Sequence, residues 1–387
     1  MSRKGLIALA VVLVVLGALA FLGQRGGSTA PTAGGAILPG LQAALNDVDK
    51  VKITKAGGEP VATIEKHADG WTVAEKAGYA ADVTKLRQNL RALAEAKILE
   101  TKTANASFYD KLGVQDIASD KATGLGVAIS SSGKDLGTLI LGDAKGSKQR
   151  YARRANEAQS YLIDRDPSFP KTAAQWLDPA ILDVRGNRVR EVTIKHPDGE
   201  VVTISKLNAD EMNFEVALIP RGRELLYPGV ANVIGNSLRE LNLEDVEKAD
   251  STPPPDKPVQ VEFRTFDGLI VRVVGAKRGD DAWVSFTASV DADQVARNQA
   301  AAKAPQPAAA GADATKPESG KPGDSAAQAD GAAKPAEGAK AAEAAPADPT
   351  AEAQRINAHV MAWRFKLATF QYDQMTRRMA DLLKPAG

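Results

Sequence analysis

Cysteine is absent from this chain of 387 residues. Without thiols the protein has no disulfide framework, no thiolate metal site, no cysteine nucleophile and no lipid-modified N-terminal cysteine. Histidine is almost as scarce, because only His67, His196 and His359 occur, far apart and without an HExxH pairing. Metal sites need convergent ligands at characteristic spacing. The sequence therefore predicts neither a metal nor another cofactor.

An excess of charge of one sign is also missing, since 49 Lys and Arg residues stand against 48 Asp and Glu. Nucleic-acid-binding proteins normally carry a basic excess, so no nucleic-acid partner is expected. The GxSxG elbow of serine hydrolases does not occur either. These absences favour a non-enzymatic protein. The alternative is an envelope hydrolase that cleaves glycans with two carboxylates, because the spacing of acids in space is invisible in a sequence.

One long apolar run is present, from Leu6 to Leu22, and it follows Arg3 and Lys4. A run of about 17 residues is near the lower end of what spans a bilayer. It predicts a transmembrane signal anchor over residues 1–25, followed by a flexible stalk.

Two consequences follow from an anchor of this kind. The positive-inside rule places the N-terminus in the cytoplasm and the body in the periplasm or outside the cell, as a single-pass protein of the inner membrane. The stalk, residues 26–45, is rich in Gly, Ser, Thr and Ala. The alternative is a cleaved signal peptide, for which Ala18-Leu19-Ala20 resembles a cleavage site.

An internal repeat organises the rest of the chain. The stretch VDKVKITKAGGEPVATIEK from Val48 resembles VREVTIKHPDGEVVTISK from Val189, and both alternate apolar and polar residues as half-buried strands do. Each hairpin is followed by a strand that starts with an aromatic residue, Trp71 or Phe214. The repeat predicts two domains, residues 46–185 and 186–387.

Each copy then shows an apolar stripe at helical spacing, which predicts an amphipathic helix. The stripes are Val83, Leu86, Leu90 and Leu93 in the first copy, and Ala231, Ile234, Leu238 and Leu241 in the second. The expected fold class is therefore α+β: two tandem repeats of antiparallel β-hairpins with an amphipathic helix, after an N-terminal transmembrane helix.

An insertion interrupts the second copy. Residues 296–355 contain no Val, Ile, Leu, Met or aromatic residue and are built mainly from Ala, Pro, Lys, Glu, Asp and Gly. Such a segment cannot bury enough apolar surface to offset its ordering entropy. We expect it to be disordered and to lie at the tip of a hairpin.

The stretch LGDAKGSKQRYARR, from Leu141, contains a glycine-punctuated loop with Lys145, Lys148 and Arg150. Its spacing and strand context differ from a phosphate-binding loop. It aligns instead with VVGAKRGDDAWVSF, which places Gly142 with Gly275 and Tyr151 with Trp283. It predicts a solvated hairpin whose cations form a basic interaction patch, and a ligand-binding sensor acting through this patch is a further alternative. The patch residues are Lys145, Lys148, Arg150, Arg153 and Arg154.

Several packing motifs resemble the domain-of-unknown-function family numbered 4340 (DUF4340). They are GWTV before the LRQNLRAL helix, FYDKLGV, LILGD, RYARR and SYLID, with AWRFKLATFQYDQM near the C-terminus. The resemblance implies a membrane-anchored envelope protein, often encoded beside ABC-transporter subunits of the type linked to gliding motility. It brings no catalytic or ligand-binding residues. The expected function is that of an auxiliary or scaffold subunit that works with such a transporter at the inner membrane.

Overall fold

Antiparallel sheets dominate the computed structural model, which describes residues 34–303 and 348–385. The chain divides into two units after Asp178. The strands of unit 1 are β1 (Lys50–Thr54), β2 (Pro60–His67), β3 (Gly70–Val73), β4 (Tyr79–Ala80), β5 (Ile98–Thr101), β6 (Leu125–Ser131), β7 (Lys134–Lys145), β8 (Gln149–Arg154) and β9 (Ser160–Ile163). Its helices are α1 (Leu41–Ala44) and α2 (Val83–Glu95).

In its described residues, unit 2 has more strands and more helices than unit 1. Its strands are β10 (Ala180–Leu182), β11 (Val189–Lys195), β12 (Val201–Ser205), β13 (Glu215–Val216), β14 (Leu241–Asn242), β15 (Asp245–Lys248), β16 (Val259–Thr265), β17 (Leu269–Arg278), β18 (Asp281–Val290) and β19 (Trp363–Leu367). Its helices are α3 (Asn232–Gly235), α4 (Ala292–Lys303), α5 (Pro349–Val360), α6 (Thr369–Met375) and α7 (Met379–Leu382).

The main sheets of the two units repeat one another. Sheet 1 has the order β4-β3-β2-β1-β6-β7-β8-β9-β5, and sheet 2 has the order β13-β12-β11-β16-β17-β18-β19-β15. The registers agree as well: Val51 pairs with Ile64 in unit 1 as Val192 pairs with Ile204 in unit 2. Apart from the extra strand β4, every strand of sheet 1 therefore has a counterpart in sheet 2, and β10 and β14 form a separate pair.

Each sheet has one buried face, here called the inner face, and an opposite outer face. The alternation that the sequence shows produces this division, because successive side chains of a strand point to opposite sides. Val51, Ile53 and Ile64 lie fully buried on the inner face of sheet 1, and Val192 and Ile204 lie on that of sheet 2. Lys52 lies on the outer face and is exposed.

The expected α+β class is wrong, because the described residues form mostly antiparallel sheets with few helices. The second predicted amphipathic helix is reduced to the four residues of α3. The helix ends at Gly235 and is followed by Asn236, and both residues are poor helix formers. Ile234 and Leu238 are nevertheless buried, so the apolar spacing reflects burial without a continuing helix.

The predicted membrane location is also corrected. The expected transmembrane segment, residues 1–25, lies outside the described residues. Within residues 34–303 and 348–385 no helix has the length and apolarity that a bilayer crossing requires. A single-pass anchor in the inner membrane is thus not supported. The predicted stalk is described only from residue 34 onward, where it already contains β-bridge and helical residues.

The predicted disordered insertion, residues 296–355, begins and ends in helices. Its first residues continue α4 and its last residues belong to α5, whereas residues 304–347 lie outside the described part of the chain. Asp348 caps α5 by accepting a hydrogen bond from the backbone N–H of Thr350. Strands β18 and β19, which flank the insertion, pair as neighbours.

Register also corrects one predicted equivalence. Leu125 pairs with Leu141 in sheet 1, and at the same point of sheet 2 Val259 pairs with Gly275. Gly275 is therefore the counterpart of Leu141, and Gly142 lies one position further along on the opposite face. A one-residue shift of this kind moves a side chain to the other side of a sheet.

Candidate docking surface

The five cations predicted to form a basic patch lie on the β7–β8 hairpin, but the structure does not bring them together. Lys145 and Lys148 are exposed at its tip, where Gly146 adopts a φ of 69°. Arg153, by contrast, is only 3% exposed. Arg153 and Arg154 are neighbours on one strand and therefore point to opposite faces.

The three arginines are held by contacts inside unit 1. The Nε atom of Arg150 donates to Asp166 at 2.6 Å. On the inner face, Arg154 donates from Nε to the carbonyl oxygen of Ile37 at 2.6 Å and forms an ion pair with Glu157. Their charges are engaged in fixing the fold, so the exposed part of the predicted patch consists of the two lysines.

Arg153 ties a loop to the outer face of sheet 1. Its Nε donates to the carbonyl oxygen of Val114 at 2.9 Å, and its guanidinium lies 4.6 Å from the centre of the Tyr109 ring. It also forms an ion pair with Asp116. The loop, residues 102–124, is called the cover loop below.

Apolar contacts complete this cover. Tyr109, Val114 and Ile140 form a buried cluster, against which the side chains of Leu112 and Tyr151 pack. Gly142 lets the backbone of the loop approach, because a methyl group there would overlap the carbonyl oxygen of Leu112. The outer face of sheet 1 is thus closed around β7 and β8.

Within residues 34–303 and 348–385, nothing comparable covers the same region of sheet 2. Its connection between β15 and β16 is short, residues 249–258, and Arg364 holds it by donating to Thr252 at 2.6 Å and to the Pro253 carbonyl at 3.1 Å. Val274, which pairs with β16 where Ile140 pairs with β6, is 39% exposed, whereas Ile140 is 2% exposed. The two counterparts therefore differ in whether a loop covers them.

A cavity of about 410 Å³ lies on this open face and is called the outer groove. Four cationic and two anionic side chains line it: Arg190, Lys195, Arg264, Arg272, Glu191 and Glu262. Glu262 lies between two of the cations, 2.6 Å from the Nε of Arg272 and 2.7 Å from Arg264. The groove thus carries a small excess of positive charge, and most of its charged side chains form ion pairs.

The network shifts the acidity of its central carboxyl group. Partial burial acts to raise the pKa of Glu262, but the hydrogen bonds and charges of Arg272 and Arg264 outweigh it. The pKa of Glu262 therefore lies below its ordinary value. The carboxylate stays ionised at neutral pH and holds both arginines in place.

An aromatic side chain extends the surface beside the groove. Trp283 is partly exposed on the outer face, and the guanidinium of Arg278 lies 5.2 Å from its ring centre. Pro254 and Pro255 line a cavity of about 190 Å³ together with Val274 and Trp283. Sheet 2 thus presents apolar, aromatic and charged groups side by side.

A search of family models identifies one match. The model described as "Domain of unknown function (DUF4340)" matches residues 71–260. The chain contains a DUF4340 domain. This confirms the resemblance inferred from the sequence motifs. No curated protein and no solved structure matches the chain.

The DUF4340 match begins in β3 and ends in β16. It includes the cover loop and the short connection of unit 2, so both of the segments that distinguish the two outer faces belong to it. Glu262, Arg264 and Arg272 lie beyond the end of the match. The description of the DUF4340 family assigns no function to any of these residues.

Carboxyl groups bear on the hydrolase alternative, which calls for a general acid whose pKa is raised. In the part of the chain that the structure describes, five carboxyl groups have a clearly shifted pKa. In each case the pKa is lowered, and the group belongs to an ion pair. These groups are Glu95, Glu100, Asp198, Glu224 and Glu262. Among the same residues no group of three or more His, Asp or Glu side chains is arranged to hold a metal ion.

Proposed function

We propose that this protein is a scaffold or auxiliary subunit without catalytic activity, and that it binds another protein through the outer groove of sheet 2 and the adjoining Trp283. The observation that carries the proposal is the difference in exposure between Val274 and its counterpart Ile140. The same sheet is built twice, and among the described residues the outer face around this position is covered in only one of the copies.

The composition of the open face supports a protein partner. Aromatic residues and arginine are enriched in protein interfaces, and energetically important residues are mostly Trp, Tyr and Arg. Trp283, Arg278 and Arg272 provide these groups around the exposed side chain of Val274. Because these residues lie on paired strands, no loop has to be ordered on binding, which lowers the entropy cost.

The charge of the outer groove specifies the partner further. Four cations against two anions favour a protein surface that carries acidic groups beside apolar ones. The family resemblance implies ABC-transporter subunits as partners. We therefore propose that a subunit of such a transporter, or a protein associated with it, docks on this face.

Site-specific crosslinking in the native cells tests the proposal. A photoactivatable residue at position 274 is expected to yield an adduct whose partner mass spectrometry identifies as an ABC-transporter subunit. The matched control carries the same residue at position 52, an exposed outer-face position on sheet 1, and is expected to yield no such adduct.

A binding measurement with the purified partner completes the test. Arg272→Glu places an anion next to Glu262, and we expect it to weaken binding by about tenfold or more. The control variant Lys52→Glu is expected to bind the partner with unchanged affinity. Adducts that are absent at position 274, or equally abundant at position 52, would contradict the proposal. So would an affinity that Arg272→Glu leaves unchanged.

A further inference from the structure

A second cavity lies in unit 1, and neither the docking proposal nor the family description accounts for it. It measures about 490 Å³ and is called the Trp71 groove. Its walls are built by helix α1 and the segment that follows it, by helix α2 and by the β2–β3 hairpin. The lining residues are Gln42, Leu45, Asn46, Val48, Lys66, Trp71, Leu86, Arg87, Leu90, Arg91 and Glu95.

The floor of the Trp71 groove is apolar. Val48, Leu86 and Leu90 are buried there, and Trp71 is partly exposed beside them. Leu86 and Leu90 are one helical turn apart and therefore share a face of α2. A concave apolar floor of this volume is typical of sites for small molecules.

The rim of the groove is cationic. Lys66 pairs in register with Trp71, which puts their side chains next to each other, and Lys66 is exposed. Arg87 and Arg91 follow on α2, one turn apart. Arg91 is engaged by Glu95 at 2.7 Å, so Lys66 and Arg87 are the cations best placed to meet an anion above the floor.

Unit 2 supplies an internal comparison, because the same position is closed there. Lys206 and Phe214 are the counterparts of Lys66 and Trp71, and the apolar stripes align Gly235 with Arg87. Phe214 is 3% exposed and Lys206 is 8% exposed, with the ammonium group 4.5 Å from the ring centre.

Gly235 explains how this site closes. A methyl group at Gly235 would overlap the Phe214 ring, so the ring can pack on the helix only because glycine stands there. Unit 1 carries Arg87 at this position, and its aromatic residue remains in an open groove. The groove is therefore a local feature of unit 1 and does not follow from the repeated sheet.

We infer that the Trp71 groove binds a small amphipathic anion, which places an aromatic or aliphatic body on Trp71 and the leucines and an anionic head group between Lys66 and Arg87. Charge-assisted hydrogen bonds from lysine and arginine to carboxylate or sulfonate are stronger than neutral ones. The apolar floor contributes by removing the body of the ligand from water.

Two dyes of matched shape test the inference on the full chain. The anionic probe 8-anilino-1-naphthalenesulfonate and the neutral probe N-phenyl-1-naphthylamine share an aromatic body and differ in the sulfonate. We expect the anionic dye to bind one site per chain. The double variant Lys66→Gln with Arg87→Gln is expected to weaken its binding by about tenfold or more, and to leave the neutral dye within about threefold.

Two further variants complete the experiment. Trp71→Ala is expected to weaken both dyes, because it removes part of the floor, while Lys52→Gln, on the outer face, is expected to change neither. Circular dichroism confirms that each variant is folded. Equal losses for the two dyes in the double variant, or an unchanged affinity for the anionic dye, would overturn the inference. Because this groove and the outer groove belong to different units, neither result depends on the other.

Discussion

Unit 1 and unit 2 contain the same sheet, yet they expose opposite parts of it. In unit 1 the cover loop buries Ile140 on the outer face, while Trp71 lines an open groove on the inner side. In unit 2 the outer face is open at Val274, while Phe214 is buried against Gly235. Strand order and register are shared, so the difference arises from one connection and from a few side chains.

This comparison shows which parts of a duplicated fold are free to change. The inner faces must exclude water, since the apolar area buried there stabilises each unit. Connections between strands carry no such requirement, and insertions in them cost little loop-closure entropy. Binding surfaces can therefore arise in either copy by lengthening or shortening a single connection.

The largest expected effect comes from truncating the two counterparts on the outer faces. Ile140→Ala removes buried methyl groups beneath the cover loop and is expected to lower the free energy of unfolding by about 2–5 kcal/mol. Val274→Ala acts at an exposed position, and we expect a change within about 0.5 kcal/mol. Urea denaturation of the full chain, followed by circular dichroism, measures both values.

A control separates loss of the cover from loss of strand stability. Leu139→Ala truncates the inner-face neighbour of Ile140 and is expected to destabilise unit 1 without raising the protease sensitivity of residues 102–124 in the native state. Ile140→Ala is expected to raise that sensitivity. Equal destabilisation by Ile140→Ala and Val274→Ala would show that the two outer faces do not differ as described.

A smaller effect is expected where the aromatic residues differ. Gly235→Ala introduces a methyl group into the Phe214 ring, and we expect a loss of about 1–3 kcal/mol from overpacking. Arg87→Ala, at the aligned position of unit 1, is expected to stay within about 0.5 kcal/mol, because alanine favours a helix and the site is exposed. Thermal unfolding of the two variants checks the prediction.

A rescue variant sharpens this test. Phe214→Ala combined with Gly235→Ala removes the ring that the methyl group would strike, so the two changes are expected to be less than additive, as is usual for residues in contact. Strictly additive losses would mean that Gly235 matters for a reason other than the Phe214 ring.

The repeat itself was visible in the sequence because strand alternation is a local pattern. Val51 and Ile53, and likewise Val192 and Ile194, are apolar residues spaced by two along a strand. The structure pairs them across each hairpin with the apolar residues Ile64, Ala62, Ile204 and Val202. The counterparts Tyr151 and Trp283 are likewise adjacent to matching pairs, Leu141 with Ala152 and Gly275 with Val284.

The candidate surface could not be predicted in the same way. Arg153 reads as one cation in a basic cluster, but its partners are a backbone carbonyl and a ring that lie about 40 residues earlier in the chain. The residues next to Arg153 in the sequence give no indication of these contacts. The short connection of unit 2 does leave a signal, since comparing the lengths of residues 102–124 and 249–258 in the two repeats would indicate that one outer face lacks a cover.

The smallest expected effect concerns the charge network that only the open face possesses. At the position of Glu262 sheet 1 has Ala128, so only unit 2 has a carboxyl group there. Because folding lowers the pKa of Glu262 below its ordinary value of 4.5, its contribution to stability is present above that pH and is lost as the pH falls through the lowered value.

Glu262→Gln is therefore expected to reduce the free energy of unfolding at pH 7 by about 0.2–1 kcal/mol, since the paired side chains are partly exposed and solvent screens their charges. The difference from the unmodified chain should shrink as the pH falls below 4.5 and also as salt is added. Urea denaturation at pH 7 and at pH 3 measures it, with Ala128→Gln as the control in unit 1. If Glu262→Gln lowers the free energy of unfolding equally at both pH values, Glu262 stabilises sheet 2 through packing. The ion pairs of the open face would then contribute nothing to its stability.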